Sequence, residues 1–120
     1  MTIRSNGTLQ DLIETIRGFD EARDWGKFHS PKNLAIALII EAGELLEVFR
    51  WMTDEESRSI RPESDDYQHS AEELADVFIQ LLRIANALDL DLLESARSKI
   101  RVDEAHYPVS SSRGNAKKYK

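Results

Sequence analysis

The chain has 120 residues, the usual size of a single domain. Its 16 basic and 22 acidic residues give a formal net charge of −6, which argues against a nucleic-acid partner, because nucleic-acid binding relies on Lys and Arg at the phosphates. The lack of cysteine excludes disulfides, thiolate metal sites and a cysteine nucleophile.

The spacing of apolar residues predicts helices along nearly the whole chain. In residues 9–19 the apolar positions recur at steps of three and four, which places them on one helical face, and Thr8 suits the N-cap. Residues 24–29 break the pattern and are predicted to form a loop. A second helix is predicted over residues 30–51, because Ser-Pro at its start fits the N-cap and the first helical position. Its first half is apolar on all sides, so we expect it to be covered on most of them.

Two more helices are predicted in the second half of the chain. Residues 53–67 are polar and contain a proline, so they are predicted to be a connection with a short helical turn. A third helix is predicted over residues 66–88, with an expected core face of Leu74, Val77, Phe78, Leu81, Ala85 and Leu88. A fourth helix begins near Asp91 and ends before Pro108. Four helices with short links predict an all-α, up-and-down four-helix bundle.

The predicted domain spans residues 1–108, and residues 109–120, with four basic and no acidic residues, are expected to form a flexible basic tail. The longest apolar run, residues 34–40, is far shorter than the roughly 20 residues that a membrane span needs, and the start of the chain lacks the apolar stretch of a secretory signal. We therefore expect no membrane partner and a cytoplasmic location. So short a chain buries only roughly two thirds of its unfolded surface, so we also expect an oligomer.

Two pairs of acidic residues at helical i,i+3 spacing have a context that favours metal binding. Glu41 lies on the stripe that otherwise carries Leu38 and Leu45, where a carboxylate is costly unless it is paired or bound to a metal. Glu44 follows it by about 4.5 Å along the helix axis. The alternative for this pair is a solvated helix face with one snorkelling glutamate.

The second pair, Glu73 and Asp76, flanks the apolar stripe of the third helix. Gln80 and Arg83 extend the same row. A capping box is the alternative for Glu73, because Ser70 fits an N-cap, although the helix could equally start further upstream. If both pairs face one cavity, their carboxylates form an all-oxygen set that suits Mg²⁺ or Mn²⁺. Four negative charges in one pocket make sense only with a metal and an anionic, metal-chelating substrate such as a nucleoside triphosphate.

Two tryptophans leave two interpretations open. Trp25 lies in the predicted loop and Trp51 at the end of the second helix. Each fits a partly buried core or interface position, and together they also fit a pair that stacks on a nucleobase.

Four motifs, one of them split into two segments, resemble those of the MazG-like nucleotide pyrophosphohydrolases, most closely their dCTP pyrophosphatase branch within the all-alpha NTP pyrophosphatase superfamily. The split acidic motif is Glu41-Ala-Gly-Glu44 followed by Glu73-Leu-Ala-Asp76. The other segments are residues 23–34, with Arg-Asp-Trp and Phe-His, residues 49–54, with Phe-x-Trp-x-Thr-Asp, and residues 99–108, which end in His-Tyr-Pro.

The resemblance implies an all-α homodimer, or a tetramer of paired dimers, that uses Mg²⁺ to hydrolyse a nucleoside triphosphate to its monophosphate and pyrophosphate. It implies that Glu41, Glu44, Glu73 and Asp76 are the metal ligands and that Glu41 also activates water. It gives dCTP or a modified pyrimidine deoxynucleotide as the expected substrate.

The resemblance also implies where the substrate is held. His29, Trp25 and Trp51 correspond to a base pocket and Lys99 to a phosphate contact, and three further expected substrate contacts are Asn33, Gln80 and Asp103. Gln80 stands where the dCTP branch tends to have Tyr. Asp103 and His106 stand where the family usually has Asn and Arg.

An alternative of a different class is a helical oligomeric module that binds nucleotide, or regulates, without turnover. The substitutions at Asp103 and His106 favour this alternative, whereas both intact acidic pairs favour the enzyme. A di-metal oxidase bundle is disfavoured, because none of the three histidines completes the Glu-x-x-His motif of such proteins.

Overall fold

The computed structural model describes residues 7–119. These residues contain helices and no strand, so the all-α prediction is confirmed. The α-helices are α1 (Leu9–Ala22), α2 (Pro31–Phe49), α3 (Asp54–Arg58), α4 (Asp65–Ala87), α5 (Leu92–His106) and α6 (Val109–Ser112), and a 3₁₀ helix lies at Gly26–Phe28. The chain divides between Asp89 and Leu90 into an N-terminal unit with α1–α4 and a C-terminal unit with α5 and α6.

The starts of α1 and α2 carry the hydrogen bonds that their predicted caps require. The Thr8 hydroxyl accepts from the Asp11 amide at 3.1 Å, and the Asp11 carboxylate accepts from the Thr8 amide at 3.0 Å, which completes a capping box. At α2 the Ser30 hydroxyl accepts from the Asn33 amide at 3.1 Å, and Pro31 takes the first helical position. Both helix starts follow from side chains next to them in sequence.

The start of α4 settles the alternative proposed for Glu73. Helix α4 begins at Asp65 with Ser64 as its N-cap, so Ser70 lies inside the helix and the capping box at Ser70 is wrong. The Ser70 hydroxyl instead donates to the Asp66 carbonyl at 2.6 Å. This frees the carboxylate of Glu73 from a capping role and leaves it on the side of the helix.

The end of α2 comes two residues earlier than predicted. The helix ends at Phe49, whose carbonyl accepts from the Met52 amide at 2.9 Å in a tighter i→i+3 turn. The connection after it contains the expected short helical turn, α3. The residues of the predicted tail begin with one helical turn, α6. The division at residue 108 and the flexibility of the tail stay predictions, and residues 1–6 and 120 lie outside the described part.

In the N-terminal unit, α2 and α1 both pack against α4. Ile16, Leu34, Leu82 and Ala85 form the buried centre of this packing. The expected core face of the third helix is wrong in part, because four of its six residues are between 37% and 55% exposed: Leu74, Phe78, Leu81 and Leu88. The helix turns a neighbouring face, which carries Leu82, towards its partners.

The apolar surface of α2 is larger than its packing in the N-terminal unit requires. Ile36, Ile39, Ile40 and Leu46 are between 52% and 71% exposed, so the expectation that α2 is covered on most sides is wrong within this unit. Across residues 7–119, no helix combines the length and hydropathy required to cross a bilayer.

Helices α2 and α4 run antiparallel. Glu44 lies beside Glu73, whereas Leu34, earlier in α2, lines the same cavity as Arg83, later in α4. Seven residues separate Glu41 from Leu34, and seven separate Asp76 from Arg83, about 10 Å along each axis at 1.5 Å per residue. The acidic residues and that cavity therefore lie along the same two helices, about 10 Å apart.

Candidate metal centre

The two predicted acidic pairs meet where α2 faces α4. Glu41 and Glu44 from α2 and Glu73 and Asp76 from α4 each offer one carboxylate oxygen, and these four oxygens all lie within 4.8 Å of one another. We call this group the carboxylate cage. Glu41 and Glu73 are partly buried, whereas Glu44 and Asp76 are exposed, so the cage has an inner and an outer pair. Its open side allows a ligand to enter.

Burial and mutual repulsion disfavour the charged forms of the inner pair. Burial, followed by the carboxylates of Asp76 and Glu44, raises the pKa of Glu41 above its ordinary value. Burial, followed by Glu44 and Asp76, likewise raises the pKa of Glu73. The imidazole of His69, whose Nε2 lies 3.5 Å from Glu73 Oε1, acts in the opposite direction. The cage therefore stores electrostatic repulsion that a bound cation would relieve.

The donor set fits a hard divalent cation. Within the described residues, Glu41 Oε2 and Glu73 Oε2 are buried oxygens with no hydrogen-bond partner. Such atoms are rare in native proteins and often mark a missing ion or water. Four carboxylates with no sulfur or imidazole among them match the preference of Mg²⁺ and Mn²⁺ for oxygen ligands. The residues present can thus hold either ion.

The predicted base-pocket residues are partly brought together. The Trp25 ring meets Phe19 edge-on, with centroids 5.5 Å apart, and meets His29 edge-on at 6.3 Å. Trp51 stands just beyond the end of α2, is 84% exposed, and has the Arg50 guanidinium 4.7 Å from its ring centroid. Both tryptophans keep aromatic surface open to a ligand, and their roles stay predictions.

Asn33 and Gln80 occupy different kinds of environment. The Asn33 amide donates to the Phe28 carbonyl at 3.0 Å, so this side chain ties the end of the 3₁₀ helix to the start of α2. Gln80 Oε1 is buried without a hydrogen-bond partner among residues 7–119 and lies on the row of α4 that continues from Asp76. A ligand group that donates a hydrogen bond would satisfy it.

In the C-terminal unit, Lys99 and Asp103 form an ion pair. Lys99 Nζ lies 2.6 Å from Asp103 Oδ1, and this hydrogen bond raises the pKa of Lys99. His106 stacks on Tyr119, with ring centroids 3.9 Å apart and planes 2° from parallel. The charge of Asp103, the acidic residue that departs from the family pattern, is thus neutralised by Lys99. The phosphate contact of Lys99 and the substrate contact of Asp103 stay predictions.

Sequence reasoning missed a second polar group in the N-terminal unit. The Asp20 carboxylate accepts two hydrogen bonds from Arg83, and both side chains are only 13% exposed. A signal was present, because Asp20 follows Ile13 and Ile16 at steps of three and four, on the stripe that faces the core. Its partner lies 63 residues away, so no local motif could have joined the two.

Comparison with known proteins places these features in context. A sequence model of the MazG-like family matches residues 36–120. The chain is 39% identical to dCTP pyrophosphatase 1 of Rattus norvegicus over 112 residues, which are 93% of this chain and 66% of the rat protein. It is 37% identical to dCTP pyrophosphatase 1 of Homo sapiens over 112 residues. The chain thus spans just under two thirds of the length of the rat relative.

A solved structure gives the same assignment of fold. The crystal structure of a pyrophosphatase from Archaeoglobus fulgidus superposes with a TM-score of 0.78 at 33% sequence identity. The match covers 89% of this chain and 99% of that protein. The expected fold type is therefore confirmed by a neighbour whose whole length is matched.

The carboxylate cage predicts a specific effect of removing one ligand. Glu73→Gln should weaken Mg²⁺ binding about tenfold or more, which reduces the rise in melting temperature on adding Mg²⁺, because binding to the folded state alone stabilises it. Glu72→Gln is the matched control, since Glu72 is the exposed neighbour on the same helix. Equal Mg²⁺ responses in the two variants, measured by calorimetry, would contradict the cage.

The raised pKa of Glu41 predicts how stability depends on pH. Between the ordinary value of 4.5 and the raised pKa, the folded protein binds more protons than the unfolded one, so the free energy of unfolding falls as the pH rises through this window. Glu41→Gln removes this loss. In EDTA, the melting temperature of Glu41→Gln minus that of the wild type should increase as the pH rises above 4.5 and then become constant. A difference in melting temperature that stays constant or decreases over this pH range would show that Glu41 is not repelled by its acidic neighbours.

Proposed function

The chain belongs to the MazG-like family, and from this premise we propose that it is a nucleoside triphosphate pyrophosphohydrolase that requires Mg²⁺, or Mn²⁺ in its place. It hydrolyses a nucleoside triphosphate to the monophosphate and pyrophosphate. The observation that carries the proposal is the carboxylate cage, with four oxygens within 4.8 Å of one another and two of its carboxylates holding orphaned buried oxygens. A helix surface without a ligand gains nothing from that arrangement.

In this proposal the four residues of the cage hold the divalent ion. When bound, the ion supplies positive charge for the phosphate oxygens and for the charge that develops on the leaving pyrophosphate. The exposed pair, Glu44 and Asp76, borders the open side from which the triphosphate enters. The chain's own contribution is to hold these oxygens in place before the substrate arrives, which is positioning and electrostatics rather than covalent chemistry.

Glu41 is the proposed general base. It takes a proton from a water molecule, whose oxygen attacks a phosphorus of the triphosphate while the bond between monophosphate and pyrophosphate breaks. Glu41 is the partly buried carboxylate that α2 contributes to the cage, so it presents an oxygen shielded from bulk solvent at the place where the water would be held. No covalent intermediate with the protein is needed.

The relatives suggest the first substrates to try. Two of them are named dCTP pyrophosphatase 1, so we place dCTP and modified pyrimidine deoxynucleotides at the head of the candidates. Trp25, His29 and Trp51 remain the proposed base contacts and Lys99 the proposed phosphate contact. This activity fits removal of unwanted nucleotides from the cellular pool, in the cytoplasm.

We further propose that the protein acts as a homodimer or as a tetramer of paired dimers. The support is the exposed apolar face of α2, where Ile39 is 71% exposed and Ile40 is 57% exposed, together with Phe78 and Leu81 on α4. Exposed patches of this kind mark interaction sites. Light scattering on a sizing column should give a multiple of the chain mass, and Ile39→Glu should lower it, whereas a monomer at micromolar concentration would contradict the proposal.

The activity is tested by measuring pyrophosphate release from a panel of deoxynucleoside and ribonucleoside triphosphates with Mg²⁺. At least one should be hydrolysed, and EDTA should abolish the reaction. Glu41→Gln should lower kcat by about a hundredfold or more with unchanged helix content, as expected for the loss of a general base. Glu47→Gln is the control, because Glu47 is exposed, lies nearly two turns further along α2 than Glu41, and pairs with Arg50 at 2.6 Å.

Two results, one from this assay and one from a binding titration, would overturn the role of Glu41 and the activity respectively. Full activity in Glu41→Gln would remove Glu41 from the chemistry. Tight binding of a non-hydrolysable triphosphate without turnover of any nucleotide would favour the non-catalytic nucleotide-binding module instead.

A further inference from the structure

One residue of α1 contacts the segment that carries two of the proposed base contacts. This segment is residues 24–29, which we call the base loop, and it contains Trp25 and His29. The Asp20 carbonyl accepts from the Trp25 amide at 3.0 Å, and the Asp20 carboxylate lies 3.5 Å from His29 Nδ1. Asp20 therefore contacts the base loop near its start, through the backbone, and at its end, through the side chain.

The chain turns sharply as it enters the base loop. Asp24 has a φ of 53°, in the left-handed region that is unfavourable for residues with a side chain. Such a conformation persists where the surrounding structure holds it. The Trp25 ring, which follows directly, packs edge-on against Phe19 with centroids 5.5 Å apart. The orientation of Trp25 thus depends on α1 at one side and on the anchored end of the base loop at the other.

Asp20 is held in turn by Arg83 of α4. Its two carboxylate oxygens accept from Arg83 Nε at 3.0 Å and from an Arg83 terminal nitrogen at 2.8 Å, and both side chains are largely buried. The oxygen that accepts from Nε is also the one that faces His29. A bidentate pair fixes the plane of the carboxylate. Because a buried ion pair adds little net stability over apolar residues of the same size, packing alone gives no reason for this one.

Arg83 lies on the helix that also carries half of the carboxylate cage. It follows Asp76 by seven residues, which is about 10 Å along the axis of α4. The contacts from Arg83 to Asp20 and from Asp20 to His29 therefore connect the cage to the base loop through one helix and two side chains.

Resting on the proposed function, we propose that Asp20 and Arg83 are positioning residues that hold the base loop at a fixed distance from the carboxylate cage. In that function the phosphates bind at the cage and the base meets the base loop, so one substrate has to reach both. A small misplacement of either part costs binding and rate. Replacing the pair leaves the four carboxylates in place but removes the support of His29, and with it the fixed position of Trp25.

The first test separates binding of the base from binding of the phosphates. The full chain with Mg²⁺ is titrated calorimetrically with the α,β-imido analogue of dCTP, which has a base, and with inorganic tripolyphosphate, which has none. Asp20→Leu, Arg83→Met replaces the pair by apolar side chains, so that neither partner is left buried alone. It should weaken binding of the analogue about tenfold or more, the scale of one aromatic stacking contact, and leave tripolyphosphate binding unchanged. Equal effects on the two ligands, or none on either, would overturn the proposal.

The matched control removes the other side-chain bridge between α1 and α4. Arg17 donates to the Asn86 carbonyl oxygen at 2.8 Å, and within residues 7–119 neither side chain hydrogen-bonds to the base loop. Arg17→Met, Asn86→Leu should leave both affinities as in the wild type. If it weakened binding of the analogue as much as the Asp20 double variant does, the effect would come from helix packing in general, and the proposal would be overturned.

Asp20→Asn covers the case in which the double variant fails to fold. Its amide keeps the shape of the carboxylate but loses one of the two acceptors for Arg83, so the base loop is held less firmly. It should also weaken binding of the analogue more than binding of tripolyphosphate, and equal effects on both ligands would contradict the proposal.

A measurement without nucleotide follows the base loop directly. The chain has two tryptophans, so labelling with 5-fluorotryptophan gives two ¹⁹F resonances, which Trp51→Phe assigns. In the Asp20 double variant the Trp25 resonance should shift or broaden, whereas that of Trp51, beyond the end of α2, should stay in place. An unchanged Trp25 resonance would show that the pair does not hold the base loop.

These measurements separate the inference from the proposed activity. If no triphosphate is hydrolysed but the titrations and the ¹⁹F spectra show this pattern, the activity fails and the positioning role stands. If pyrophosphate is released but the Asp20 variants bind the analogue as tightly as the wild type does, the positioning role fails and the activity stands.

Discussion

The candidate site of this protein depends on four carboxylates that are held close together where α2 faces α4. Their oxygens lie within 4.8 Å of one another, and burial and repulsion raise the pKa of Glu41 and Glu73. A fold that kept such a group without a ligand would lose stability for no gain. In the proposed function, a divalent cation offsets the charge of the partly buried Glu41 and Glu73, and a triphosphate binds to that cation.

The antiparallel packing of α2 on α4 places a second feature near this cluster, the cavity that Leu34 and Arg83 line. Because Glu44 lies beside Glu73 while Leu34 and Arg83 line one cavity, the cage and this cavity lie along the same two helices. The two differ in chemistry: one consists of carboxylates alone, and the other pairs a carboxylate with a guanidinium.

Those parts of the structure that depend on neighbours in sequence could be predicted, and those that depend on distant packing could not. The caps at Thr8 and Ser30 follow from residues three positions away, and the spacing of Glu41 and Glu44 follows from the helical repeat. Whether Glu73 and Asp76 lie beside Glu41 and Glu44 depends on the register between α2 and α4. The spacing of residues within each helix does not determine that register. The Asp20–Arg83 pair joins residues 63 positions apart and had no local signal beyond an acid on an apolar stripe. Periodicity found an apolar face on α4 but not which neighbour covers it, so Leu74 and Phe78 were wrongly expected in the core.

The most direct test of the central claim is the position of a divalent ion bound with a substrate analogue. Crystals grown with Mn²⁺ and a non-hydrolysable deoxynucleoside triphosphate would be measured at the manganese absorption edge. The account predicts an anomalous peak at roughly 2 Å from oxygens of Glu41, Glu44, Glu73 and Asp76, with phosphate oxygens completing the coordination. An anomalous peak elsewhere, with the cage empty and the analogue bound away from α2 and α4, would contradict it.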